Sequence, residues 1–159
     1  MLTIRGLDGL SKVRRKTIRK TLEFLINVID IKHEIEIVFY SQKSWRDPLW
    51  DVQVEGMFHA PLTTNSSALI ELAGLRKPRQ LQENLIHEMI HYEQYKDCRH
   101  IKPTFVGAPF IAVDIDYFEA ELEAYTRAWE LSRKIRNMHA PTDPTSVMYR
   151  KLKKWYRNV

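Results

Sequence analysis

Pro78-Arg79-Gln80-Leu81-Gln82-Glu83-Asn84-Leu85-Ile86-His87-Glu88-Met89-Ile90-His91-Tyr92-Glu93-Gln94-Tyr95-Lys96 is the stretch whose reading decides the fold. Pro78 suits the first position of a helix, where its missing N–H breaks no bond. Beyond it, Leu85, Ile86, Met89, Ile90 and Tyr92 leave the helix almost no wholly polar side. A helix apolar nearly all round belongs in an interior. Within that interior stand His87, Glu88 and His91. Residues i and i+4 of a helix lie one above the other, so both imidazoles face the same way. They can share one Zn²⁺ at about 2.0–2.1 Å per nitrogen. Glu88 is turned about 100° from His87, where its carboxylate can serve a water at the metal without binding the metal itself. Residue types and spacing therefore match a two-histidine site with a built-in general base. The plainer alternative is a pair of core histidines bonded to backbone or carboxylates, but apolar surroundings offer few such partners.

A catalytic zinc site needs a third protein ligand and keeps one position open. Downstream, Asp116 and Glu119 have the spacing of a capping box, opening a helix from about Tyr117 to Asn137. Its candidate carboxylates are Glu119, Glu121 and Glu123. Stepping about 100° per residue from Phe118 places Leu122, Tyr125 and Trp129 near the starting direction. Ala124, Ala128, Leu131 and Ile135 fall on an adjoining sector, with Glu121 between the two groups. Glu119, Glu123, Arg127, Glu130 and Lys134 fall opposite, toward water. A buried carboxylate without a partner costs several kcal/mol. Glu121 is therefore the expected third ligand, with a buried ion pair to an arginine as its alternative role.

Toward the N-terminus, Ser11 caps a helix running to about Asp30, with Val13, Ile18, Leu22, Leu25, Ile26 and Ile29 on one face. Arg14, Arg15, Lys16, Arg19 and Lys20 cluster in its first turns, either as a phosphate-binding face or as a solvated outer one. Three strand-like stretches follow: Glu34 to Tyr40, Trp50 to His59 with Val52, Val54 and Met57 inward, and Ala68 to Leu72. Pro48, Pro61, Asn65, Ser66 and Ser67 mark the turns between them. Pro141 stops the glutamate-bearing helix, and Asp143-Pro144 starts a last basic helix with Met148, Leu152 and Trp155 along one side. The expected fold is α+β, a single domain over residues 1–159: an N-terminal helix, a small three-stranded sheet, then three helices.

Bulk properties narrow the class further. At 159 residues, 44% of them hydrophobic, the chain suits one cored domain. The lone Cys98 excludes an internal disulfide and a cysteine zinc ribbon. No signal-peptide stretch opens the chain, and the apolar window Phe105 to Val113 is short and broken by Gly107 and Pro109. A soluble, cytoplasmic protein without membrane contact is expected. The net charge of +5 permits an anionic partner. Nucleic acid could bind through the terminal basic helices, Lys12 to Lys20 and Tyr149 to Arg157, where bases would stack on aromatics between cations.

His87 to His91, joined with Glu121-Leu122-Glu123-Ala124-Tyr125, resembles the gluzincin-type HExxH metallopeptidases over residues 78 to 131. Small size and element order are similar to the compact minigluzincins and like proteins of phages and bacteria. The resemblance implies a zincin-like fold, a protein or peptide substrate, and zinc on His87, His91 and Glu121. It implies that Glu88 takes a proton from the attacking water and passes it to the leaving amine. Tyr125 stands where several related families carry Asp or Asn four residues after the ligand. The thermolysin pattern fits Glu119-Ala120 with Glu123, which keeps Glu119 as a rival. An extended peptide would pair with a sheet edge, expected at Trp50 to His59. Tyr95, His100 and Tyr125 are candidate oxyanion donors, and Gln94 is a candidate for orienting a ligand. His33, His59 and His139 show no ligand spacing. A nucleic-acid-associated protein and a latent or silent zinc domain are the competing functions.

Overall fold

Period-two alternation in two short stretches builds the sheet. Ile35, Ile37 and Phe39 of β2 (Ile35–Tyr40) and Ala68, Ile70 and Leu72 of β6 (Ala68–Ala73) are all buried. The computed structural model describes residues 1–31, 34–47, 51, 53–61, 66–97, 99, 101–103, 113–115 and 117–137. In it β2 and β6 run parallel, with Ile37 opposite Ile70. A further strand, β1 (Leu2–Arg5), adds in parallel to β2. β5 (Gly56–His59) adds antiparallel to β6, giving the order β1-β2-β6-β5. Two antiparallel pairs stand apart from this sheet: β3 (Trp45–Arg46) with β4 (Gln53–Val54), and β7 (Ile101–Pro103) with β8 (Val113–Ile115).

The sheet is thus four-stranded rather than three-stranded, and the chain begins with a strand. Leu2–Arg5 is only four residues long, too short for alternation to stand out. Of the expected strand Trp50 to His59, Trp50 and Val52 lie outside the described residues, and the stretch from Gln53 divides into β4 and β5 at Glu55, each pairing with a different partner. Only Gly56–His59 joins the main sheet, and it does so at the edge, as expected for that stretch.

Helices cover one face. α1 (Lys12–Ile26) starts at Ser11, whose Oγ accepts from the Arg14 N–H at 3.5 Å. Ile18, Leu22, Leu25 and Ile29 are buried, but Val13 and Ile26 are 63% and 53% exposed, against expectation. Val13 stands about 150° round from the buried row, and Ile26 ends the helix four residues before Asp30. α2 (Pro78–Lys96) has Pro78 in its first turn and packs against α1, α3, β5 and β6, which is why it is apolar on nearly every side. α3 (Tyr117–Ile135) lies along it. The buried apolar residues of α3 are Ala120, Leu122, Ala124, Ala128, Leu131 and Ile135, while Tyr125 is exposed. The apolar stripe is therefore rotated away from the aromatics: alanines let the two backbones approach, and bulky rings are left at the margin.

A buried polar chain fastens the three helices. Gln82 of α2 donates to Thr21 Oγ1 of α1 at 3.1 Å and accepts from Ser132 Oγ of α3 at 3.3 Å. The fold is α+β with mixed sheets and, among the described residues, three α-helices and a short 3-10 helix at Leu7–Gly9. Asp116, Cys98, His33, His100, His139 and the helix expected after Asp143 lie outside the described residues. No helix among the described residues is long and apolar enough to cross a membrane. Gln82→Leu keeps the volume but leaves Ser132 Oγ without this partner, and is expected to lower unfolding free energy by about 1–3 kcal/mol. Urea denaturation checks it: unchanged stability would mean the chain of hydroxyls and amide adds nothing.

Candidate metal centre

One turn of α2 separates His87 from His91, and their Nε2 atoms lie 3.0 Å apart. Close seating of α3 brings Glu121 to the same point. Its Oε1 lies 3.1 Å from His91 Nε2 and its Oε2 lies 3.4 Å from His87 Nε2. The three side chains are only 11%, 17% and 13% exposed. A tetrahedral ion with ligands at about 2.0–2.1 Å holds neighbouring donors about 3.3 Å apart. His87, His91 and Glu121 thus form a group able to hold a metal ion. Glu119 is exposed and belongs to no such group among the described residues.

The protons of this cluster are set by Gln94. Its Nε2 donates to Ala120 O at 2.9 Å and to Glu123 Oε2 at 3.0 Å, so its Oε1 is left to accept from His91 Nδ1 at 2.8 Å. His91 therefore carries its proton on Nδ1 and points an Nε2 lone pair at a carboxylate oxygen 3.1 Å away. Two lone pairs cannot face each other in a dry seam without a cation between them. A metal ion or a second proton must supply the charge. Without metal, burial opposes protonating His91, but Glu121 and Glu88 outweigh it and lift its pKa to about 9. Burial pushes the Glu121 carboxyl up, yet the two imidazoles pull it well below the usual carboxylate range. On the far side of His87, the Tyr125 ring lies 4.2 Å away, centroid to centroid.

Glu88 is buried beside the trio without belonging to it. Its carboxylate fits against the edge strand because residue 56 is glycine. A Cβ there would lie 2.7 Å from Glu88 Oε1 and 3.1 Å from Leu72 Cδ2. Burial raises the Glu88 pKa, with His87 and His91 partly offsetting it. A carboxyl tuned upward in this way is suited to taking up a proton and returning it.

Glu123 departs from expectation. It is neither a ligand nor turned to water; it lies in the α2–α3 seam, bonded to Gln94, Arg99 and Arg127. Glu93 pairs with the same two arginines, 2.9 Å from Arg99. Two acids and two guanidinium groups thus close around the amide that holds His91. Gln94 was legible from its spacing, one turn beyond His91; the surrounding ion pairs were not, because Arg99 reaches back from beyond the helix end. Tyr95 packs on Phe58 of β5. His59 pairs with Glu71 at 2.7 Å, which also accepts from the Tyr40 hydroxyl.

Set against known protein families, curated proteins and solved structures, the chain gives no match in any of the three comparisons.

In the metal-free protein His91 holds its proton more tightly folded than unfolded. Its stabilisation is full below pH 6.5 and is lost as pH climbs to about 9. Glu121, lowered on folding, stabilises above its ordinary value of 4.5 and loses that as pH falls. The Tm of metal-free protein is therefore expected to fall by several degrees between pH 6.5 and 9. Saturating zinc replaces the proton and should flatten that slope. Parallel curves with and without zinc, read by calorimetry, would contradict the arrangement.

Proposed function

We propose that the chain is a zinc-dependent peptidase with a zincin-like fold, acting on protein or peptide substrates. The single observation that carries the reading is the meeting of His87, His91 and Glu121 from two helices, with a buried Glu88 between them and an edge strand. A zinc ion held by those three side chains would act as a Lewis acid toward a peptide carbonyl and a water molecule. Gln94 keeps the His91 proton on Nδ1, so that Nε2 stays a ligand. Glu88 accepts a proton from the attacking water and delivers it to the departing amide nitrogen. Its raised pKa suits both halves of that transfer.

The outer edge of β5 supports an extended substrate. β5 pairs with β6 on one side, and among the described residues nothing pairs with the other. Backbone pairing there would run a peptide past Gly56, against which Glu88 lies. Tyr125, exposed and with its ring tilted against His87, is the oxyanion donor this arrangement favours over Tyr95, which packs against Phe58. A single cysteine in 159 residues fits a reducing, cytoplasmic setting.

Protein purified without chelator is expected to carry about one zinc per chain. Glu121→Gln should release it and Glu119→Gln should not, while Glu123→Gln weakens zinc about 10–100-fold through Gln94. Glu88→Gln should keep the metal and lose about 10²–10⁴-fold in kcat on an unstructured protein substrate. Zinc lost from Glu119→Gln but kept by Glu121→Gln, or full activity in Glu88→Gln, would overturn the reading. Gly56→Ala provides a separate check, since its methyl displaces the Glu88 carboxylate: zinc content should stay at the parent level while kcat drops at least tenfold. Parental kcat in that variant would mean Glu88 does not work from this position.

A further inference from the structure

Positive charge is segregated on one helix. Lys12, Arg15, Lys16, Arg19 and Lys20 of α1 fall within about 140° of arc, with Arg15 at the border of the buried Ile18, Leu22 and Leu25 and the other four turned away from them. Lys12, Lys16, Arg19 and Lys20 are exposed, and among the described residues none of the five has a carboxylate partner. The first acid of α1 is Glu23, three residues past Lys20. Other described arginines behave differently. Outside α1, Arg5, Arg46, Arg76, Arg79, Arg99, Arg127 and Arg136 each sit in an ion pair, and Arg133 lies over Trp129.

The stripe stays on α1. Arg14 turns away from it, donating to Leu75 O at 3.1 Å and Arg76 O at 2.8 Å. That clamp holds the first turn of α1 beside the segment leading into α2 and leaves the basic stripe free of it. The N-terminal end of α1, at Lys12, adds its partial positive charge.

We propose that this stripe, Lys12 to Lys20, is a binding surface for the phosphate backbone of nucleic acid. From Lys12 to Lys20 it spans about 12 Å, the rise of three to four phosphates of one strand. A membrane surface fits less well. A helix lying in a bilayer needs a free apolar face, whereas Ile18, Leu22 and Leu25 are committed to the core and only Val13 is exposed in the first turns. The surface is independent of zinc and of any peptidase activity.

The test is fluorescence anisotropy of the full chain with a labelled DNA duplex, beside vesicles of phosphatidylserine and phosphatidylcholine. With about four phosphates neutralised, affinity is expected to fall roughly a hundredfold between 50 and 200 mM salt. Lys16→Gln/Arg19→Gln/Lys20→Gln should bind at least tenfold more weakly, with a shallower salt slope. Arg5→Gln/Lys43→Gln/Arg46→Gln, with the same net charge, should bind within about twofold of the parent. Lys16→Arg/Lys20→Arg should retain binding, and circular dichroism should show all variants folded. Equal weakening by the two triple variants, no DNA binding at 50 mM salt, or binding to vesicles alone would each overturn the proposal.

Discussion

Everything at the centre of this protein depends on how closely α3 can lie against α2. Ala120, Ala124 and Ala128 give α3 a flat buried edge, and that edge lets Glu121 reach two imidazoles projecting from α2. A larger side chain at those positions would hold the helices apart and separate the carboxylate from its partners by more than any ion could bridge. The packing is apolar, yet its consequence is electrostatic: three donors with unshared electron pairs are forced together where water is scarce. Such a cluster is costly unless a cation joins it.

The structure supports that cluster from behind. Gln94 spends both halves of its amide, one on the His91 ring and the other on α3. Glu93, Arg99, Glu123 and Arg127 close around it with alternating charge. Each pair is only partly buried, so none need contribute much to stability alone. Their joint effect is geometric, because they fix the orientation of one imidazole and the spacing of two helices. On the opposite side, Gly56 leaves a hollow in the edge strand, and the Glu88 carboxylate occupies it.

Much of this was legible in the sequence, for identifiable reasons. The burial of α2 followed from its lack of a polar face, and its start from Pro78. Glu121 was separated from Glu119 and Glu123 by helical phase alone. What escaped depended on contacts between distant segments. Leu2–Arg5 is a strand because β2 is there to pair with it. Glu123 is held in the seam because Arg99 and Gln94 come from another helix and its end. Phase turns Tyr125 and Val13 inward, yet smaller or better-placed neighbours take the interior. Periodicity gives a direction around a helix, but not how wide the buried sector is or where its centre lies.

Diffraction from crystals of zinc-loaded protein, collected on both sides of the zinc absorption edge, tests the centre most directly. One anomalous peak is expected, bonded to Nε2 of His87, Nε2 of His91 and a Glu121 oxygen, each at about 2.0–2.2 Å. A peak held by other side chains, or none between these three, would contradict the assignment.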